Sequence, residues 1–287
     1  MKRRTREFLT RFTAMPAIGT FRESRPLTHV GRPPLPHAVL LLHGFSASPA
    51  AFAALTPALE ARGIPYHAPA LTGFGLDDLH LLEVVRASDW RRDALNAYDV
   101  LAAVAEEVSV VGLSYGTLLA AFVAAERPVK HLLLAAPYFF EKETRDQAMR
   151  RTLQRPLVSR LVRGLGLYIA KPVRPGRATC VDIVDPDEAR AFFQYPTLPV
   201  SSLLEVWGSP RDVDFSSLRH ETLDVIGGAE EQTSDVPAFL AMLDRQGVPY
   251  RAHWLPRTAH NVFNDHDKAE AAAIVADVLA GRGAPAG

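Results

Sequence analysis

Along the chain, short apolar runs without polar alternation trade places with longer stretches whose apolar positions recur every three or four residues. The runs are HAVLLLHG (37–44), a weaker IPYHAPAL (64–71), EEVSVVGL (106–113), KHLLLAAP (130–137), TLDVIGG (222–228) and YRAHWLP (250–256). A strand that is apolar at successive positions is buried on both faces, and a parallel sheet between helical layers is the usual cause. Four helices with readable ends lie between the runs and after the last of them. Ser48-Pro49 opens the first, which passes Ala53, Leu55 and Leu59 and stops at Gly63. Ser88 opens the second, through Trp90, Leu95, Val100 and Leu101 to Val104. Thr117 to Glu126 is the third, ended near Pro128. Asn264 or Asp265 caps the last, through Ala272, Val275 and Leu279, with Gly281 behind it. Strand and helix in alternation predict an α/β fold with a doubly wound, mostly parallel sheet and helices on both faces.

One region interrupts the alternation. From about Tyr138 to His220 there is no clear strand. The segment RDQAMRRTLQRPLVSRLVRGLGLYIA (145–170) has a helical pattern, a Pro- and Gly-rich stretch follows, and a short helix is expected near Asp187 to Phe193. Placed between two core strands, this region reads as an inserted helical cap over the C-terminal edge of the sheet, where ligands bind in such folds. The expected division is a basic N-terminal segment (1–25), a core made of 26–137 and 221–287, and a neutral, largely apolar cap over 138–220. The N-terminal MKRRTREFLTRF lacks the continuous apolar stretch of a secretory signal, and reads as a frayed or loosely docked segment with at most a weak membrane-surface contact.

Composition narrows the partners. The 287 residues are 48% hydrophobic, enough for a large core, and 32 basic residues balance 32 acidic ones. That balance predicts no nucleic-acid partner. No run approaches the roughly 20 apolar residues that a membrane span needs, so no stable membrane insertion is expected. Cys180 is the single cysteine, so no internal disulfide can form. A reducing, cytoplasmic location fits that usage.

The chemistry starts at Gly112-Leu113-Ser114-Tyr115-Gly116, a G-x-S-x-G pattern with a strand before it and a helix after it. A sharp strand-to-helix turn strains the middle residue, and the flanking glycines relieve crowding in the bend. The Ser114 hydroxyl then stands at the top of the sheet as a candidate nucleophile. A serine hydroxyl needs a base to take its proton. In a fold of this kind the order along the chain is Ser, acid, His. His131 and His220 start strands at the opposite edge, and His253 lies inside an apolar strand. His260, beyond the last strand in RTAHNVF, is the candidate base. The acid is expected in GAEEQTSD after the fifth strand: Glu231 by spacing, with Glu230 and Asp235 as alternatives. Oxyanion donors are expected from the backbone N–H groups of Tyr115 and Phe45. His43 reads as a loop anchor rather than a base. The rings of Phe45 and Tyr115 border an acyl pocket or simply pack.

LLLHGF, VVGLSYG and TAHNVF, in this order, resemble the α/β-hydrolase superfamily over about residues 30 to 280. More narrowly, LLLHGFSASPAAFAALTPALEARG, HAPALTGFG, SDW and YPTLPVSSLLEV (195–206) resemble bacterial carboxylesterases and monoacylglycerol lipases. The resemblance implies an α/β-hydrolase fold and hydrolysis of a small-molecule ester through an acyl-enzyme, with neither metal nor organic cofactor. The chain departs from that group at Gly73-Phe74-Gly75, where Gly-His-Gly is usual. It departs again at Thr117, where many members have glycine, and in using Glu where Asp is commoner as the acid. Thioester or amide cleavage on the same residues, and ligand binding without turnover, are the alternative readings.

Overall fold

The computed structural model describes residues 27–29, 34–74, 79–142 and 147–281. The basic N-terminal segment and Gly75 lie outside the described residues. Among these residues nine strands form two sheets. The larger contains β1 (Leu27–His29), β2 (Leu35–Leu42), β3 (Tyr66–Ala68), β4 (Ala105–Leu113), β5 (Val129–Ala135), β8 (His220–Gly228) and β9 (Arg251–Leu255), in the order β1-β3-β2-β4-β5-β8-β9. Every neighbouring pair is parallel except β1 with β3. The six strands read from the sequence are all present. The short antiparallel edge strand β1 is an addition to them.

Burial on both faces explains the unbroken apolar runs. Successive side chains of a strand point to opposite faces. Leu40, Leu42, Val110, Leu132 and Leu134 pack on one side with Trp90, Leu119 and Phe239. Val39, Leu41, Val111, Leu133 and Ile226 pack on the other with Phe52, Leu59, Phe263 and Val275. The helices on the first face are α2 (Ala87–Ala102), α3 (Tyr115–Glu126) and α8 (Val236–Gln246). A 3-10 turn at Pro49–Phe52, α1 (Thr56–Glu60) and α9 (Lys268–Leu279) cover the second.

Several element ends differ from the sequence reading. The first helix is a 3-10 turn plus a short α-helix rather than one piece; Ser48 does accept from the Ala50 N–H at 3.3 Å. Helix α2 starts one residue before Ser88, and the carboxylate of Asp89 accepts from the Arg86 N–H at 2.9 Å. Neither Asn264 nor Asp265 caps α9; Asp267 stands at that position. Asp265 instead accepts from the N–H groups of Val184, Asp185 and Ala259, so it is spent on joining two loops. Helix α8 was absent from the sequence reading.

Between β5 and β8 the inserted segment holds α4 (Gln147–Leu153), α5 (Pro156–Leu165), α6 (Pro186–Ala191) and α7 (Val200–Trp207). It also holds a two-stranded antiparallel ribbon, β6 (Tyr168–Ala170) with β7 (Thr197–Pro199), where the sequence reading had no strand. Pro156 ends the first helical stretch, because proline has no N–H to continue the ladder. The segment is not neutral along its length. From Gln147 to Arg177 it carries Arg150, Arg151, Arg155, Arg160, Arg163, Lys171, Arg174 and Arg177 and no acidic residue. No helix among the described residues is long and apolar enough to cross a membrane.

The tightest backbone contact lies where α3 meets the sheet. A Cβ built on Gly116 would stand 2.0 Å from the Leu42 carbonyl oxygen, and one on Gly112 would stand 2.5 Å from the Gly116 carbonyl oxygen. Neither neighbour is a flexible side chain, so backbone would have to move. Gly116→Ala is expected to lower stability by about 1–3 kcal/mol or more, as overpacked cores do, read as a lower urea midpoint with an unchanged slope.

Candidate active site

In a parallel sheet the loops that leave the C-terminal strand ends gather at one edge. That edge collects His43 to Ser46 after β2, Ser114 after β4, Ala136 after β5, Glu231 after β8 and His260 after β9. Three non-glycine residues with positive φ lie on these loops: Ser46 at 63°, Ser114 at 54° and Ala136 at 47°. Such angles cost about 1–3 kcal/mol each and persist only where surrounding structure enforces them. For Ser114 the enforcement is visible. Its N–H donates to the Ala135 carbonyl at 2.9 Å on one side, and the glycine contacts hold α3 against β2 on the other.

The bend carries the Ser114 hydroxyl to His260. Ser114 Oγ lies 2.6 Å from His260 Nε2, and His260 Nδ1 lies 2.8 Å from Glu231 Oε2. Burial leaves His260 7% and Glu231 3% exposed, so the contacts are shielded from water. A carboxylate only accepts, so Nδ1 carries the proton, and in the neutral ring Nε2 is left to accept from the serine hydroxyl. The second Glu231 oxygen, Oε1, accepts from the N–H groups of Thr233 at 2.6 Å and Ser234 at 3.0 Å. The acid loop therefore folds around its own carboxylate and leaves one oxygen facing the ring.

The other candidate acids go elsewhere. Glu230 is exposed, and Asp235 accepts from the Ala238 N–H at 3.0 Å as the N-cap of α8. His131 and His253 point to side-chain partners within the sheet, Thr222 and Asp224, each at 2.8 Å. The Tyr115 N–H opens α3 and so lacks an intrahelical acceptor. The Phe45 N–H has no backbone partner among the described residues. The ring of Tyr115 is 1% exposed and its hydroxyl meets Ser209 Oγ at 3.0 Å. It belongs to an aromatic cluster with Phe45, Phe74 and Trp90. A cavity of about 150 Å³ lies beyond that ring, lined by Leu118, Phe122 and Val213 among others; Ser114 does not line it.

Two residues have duties that the sequence suggests only in part. His43 is fully buried; its Nδ1 donates to the Gly44 carbonyl at 2.9 Å, and its Nε2 accepts from the Leu71 N–H at 3.2 Å. It anchors the loop that carries Phe45, as the sequence reading expects. Thr117, in the position where many members of the resembled group have glycine, donates to the Ser114 carbonyl at 2.6 Å and accepts from the Tyr138 N–H at 3.1 Å. The threonine thus ties the start of α3 to the exit of β5. No group of three or more His, Cys, Asp or Glu side chains suited to a metal occurs among the described residues.

The alpha/beta hydrolase family model matches residues 39–274, most of the chain. The chain belongs to the alpha/beta hydrolase family. A carboxylesterase of Bacillus subtilis (strain 168) is 31% identical over 108 residues, which covers 37% of this hydrolase and 44% of that relative. The match thus spans less than half the length of the curated relative. The monoacylglycerol lipase of Paleococcus ferrophilus superposes with a TM-score of 0.69 at 14% identity, covering 90% of this chain and 98% of that one. A soluble variant of the monoglyceride lipase of Saccharomyces cerevisiae also gives 0.69, at 12% identity, covering 91% and 92%. At such identities the solved structures establish the fold of this hydrolase.

Burial pulls the pKa of His43 from 6.5 down to about 4, and its bond to Gly44 opposes this only in part. The unfolded chain therefore binds more protons than the folded one between those values, and stability falls as pH falls through that window. From pH 7 to pH 5 the expected loss from this one ring is about 2 kcal/mol. Urea midpoints at the two pH values, compared with those of His43→Gln, check it; the variant should show the smaller fall.

Proposed function

We infer that this α/β-hydrolase is a serine hydrolase that cleaves carboxylic esters through an acyl-enzyme. The hydrogen-bonded line from Glu231 through His260 to Ser114 carries the reading. Ser114 Oγ attacks the ester carbonyl while His260 Nε2 takes its proton. Glu231 fixes the ring in the tautomer that leaves Nε2 free, and stabilises the imidazolium that forms. The negative charge on the former carbonyl oxygen falls to the N–H groups of Phe45 and Tyr115, with the N-terminus of α3 behind them. His260 then returns the proton to the departing alcohol, and water, activated by the same ring, releases the acid. The carboxylesterase relative and the fold shared with monoacylglycerol lipases support an ester as the substrate. The required groups come from this chain's own side chains and backbone, so neither a metal nor an organic cofactor enters the proposed steps.

A fluorophosphonate should add once, at Ser114, as shown by intact mass and peptide mapping. Ser114→Ala and His260→Ala should each lower kcat on a p-nitrophenyl ester by at least about 10³-fold. Glu231→Gln, which keeps the shape and loses the charge, should cost about 10²–10⁴-fold. A Ser114→Ala protein that retains most of its activity would exclude this mechanism. Rates on matched ester, thioester and amide substrates rank the acyl groups.

A further inference from the structure

A second buried carboxylate adjoins the site, and the proposed mechanism gives it no task. Asp182 comes from the inserted segment and is 4% exposed. Its Oδ2 accepts from the Gln232 N–H at 2.9 Å and from the Thr233 hydroxyl at 3.0 Å; both residues directly follow Glu231. Its Oδ1 accepts from Arg177 Nε at 2.8 Å. Its backbone carbonyl accepts from the His260 N–H at 3.2 Å and from Asn261 Nδ2 at 3.3 Å. One residue of the insertion therefore holds both the acid loop and the histidine loop.

Neighbouring residues of the insertion tie to the same edge. Arg177 Nη2 donates to the Glu230 carbonyl at 2.6 Å, and Arg174 Nη1 to the Gln232 carbonyl at 2.8 Å. Lys171 Nζ donates to Ser46 Oγ at 3.0 Å, next to the Phe45 amide. From the start of the same insertion, Lys142 donates to the Glu231 carbonyl. The charged groups around Asp182 are thus Arg177 and Arg174 on its own segment, Glu231 and Lys142 at the acid loop, and His260. Burial works to raise the Asp182 carboxyl, but His260, Arg177 and the Gln232 N–H outweigh it and hold the group below the usual carboxylate range.

A buried ion pair is a poor source of stability, because desolvation offsets most of the attraction. The Arg177–Asp182 pair is nevertheless almost fully enclosed, at 5% and 3% side-chain exposure. Its return lies in position. Outer-sphere carboxylates that orient catalytic groups are worth about 10–100-fold in metal sites, where this effect is best documented.

We propose that Asp182 is a positioning residue of the active site: it locks the Glu231 loop to the His260 loop. The inference rests on the serine-hydrolase reading above. It also makes the insertion a structural part of the site, since one of its residues bonds both the acid loop and the histidine loop.

The test is Asp182→Asn, which keeps the shape and removes the charge. The expected result is a fall in kcat of about 10–100-fold with KM changed less than about threefold. The rate of fluorophosphonate labelling at Ser114 should fall in parallel with kcat. The downfield proton resonance of the His260–Glu231 hydrogen bond should shift or broaden. Thr233→Val, which removes one donor to Asp182 and keeps its charge, lowers kcat and the labelling rate together by about threefold and remains informative if the asparagine protein does not fold. A folded Asp182→Asn protein with the wild-type kcat and labelling rate overturns the proposal. So does one that only melts at lower temperature and labels at the wild-type rate. A wild-type protein that takes no adduct at Ser114 overturns the serine-hydrolase reading itself, and is thereby distinguished from a wild-type-like variant.

Discussion

At Gly116 a helix and a strand meet without a side chain between them, and the arrangement of the edge that carries Ser114 follows from that contact. The Leu42 carbonyl occupies the space that a Cβ would need. With α3 held so close, the chain between β4 and α3 has room only for a sharp bend, and Ser114 takes a positive φ of 54° to make it. The strain at Ser114 is thus a result of backbone packing. The same contact aims the first turn of α3, with its unpaired N–H groups, at the point where the Ser114 hydroxyl emerges. Thr117 completes the arrangement by bonding the Ser114 carbonyl, which pins the start of the helix.

The site is assembled by loops that share one edge and little else. His43 stays neutral in the core and holds its loop through two ring nitrogens. Glu231 is fixed by two amides of its own loop before it reaches the ring of His260. The acid loop and the histidine loop meet directly, through the Glu230 N–H and the Thr258 carbonyl at 3.0 Å. The insertion adds to that join through Asp182, whose carboxylate serves the one loop and whose backbone carbonyl serves the other. The arginine-rich composition of that insertion then acquires a meaning: Arg174 and Arg177 serve backbone carbonyls of the acid loop, while Arg150 and Arg163 pair with Glu141 and Glu205.

Legibility in the sequence tracked the range of the interactions. The parallel strands could be read because burial on both faces leaves a local mark, the unbroken apolar run. Ser114 stood out because its glycine fence is part of the same turn. His260 and Glu231 could be placed through strand order, since each follows a strand end by a few residues. Their roles rest on the proposed chemistry, but the juxtaposition is present. Asp182 gave no signal, because the residues that tie it to the site, Gln232 and Thr233, lie about 50 residues away, and its near partner Arg177 says nothing of them. Edge strand β1 is three residues long and makes no periodic pattern. Asp265 looked like a helix cap because caps and loop ties use the same carboxylate; only the position of Val184 and Asp185 tells them apart.

The pairing of β5 with β8 bears on how the molecule comes to fold. The two strands lie side by side, Val129 opposite His220 and Ala135 opposite Ile226, yet the whole insertion separates them along the chain. Closing so long a loop costs entropy before any ladder bond is made, and such non-local pairings are slow to form. The half of the sheet that carries Ser114 can zip from near neighbours, whereas the half that carries Glu231 and His260 must wait for that closure. During synthesis the strand and helix around Ser114 leave the ribosome well before Glu231 and His260. Ser114 therefore spends the early life of the chain without the side chains that it meets in the folded protein.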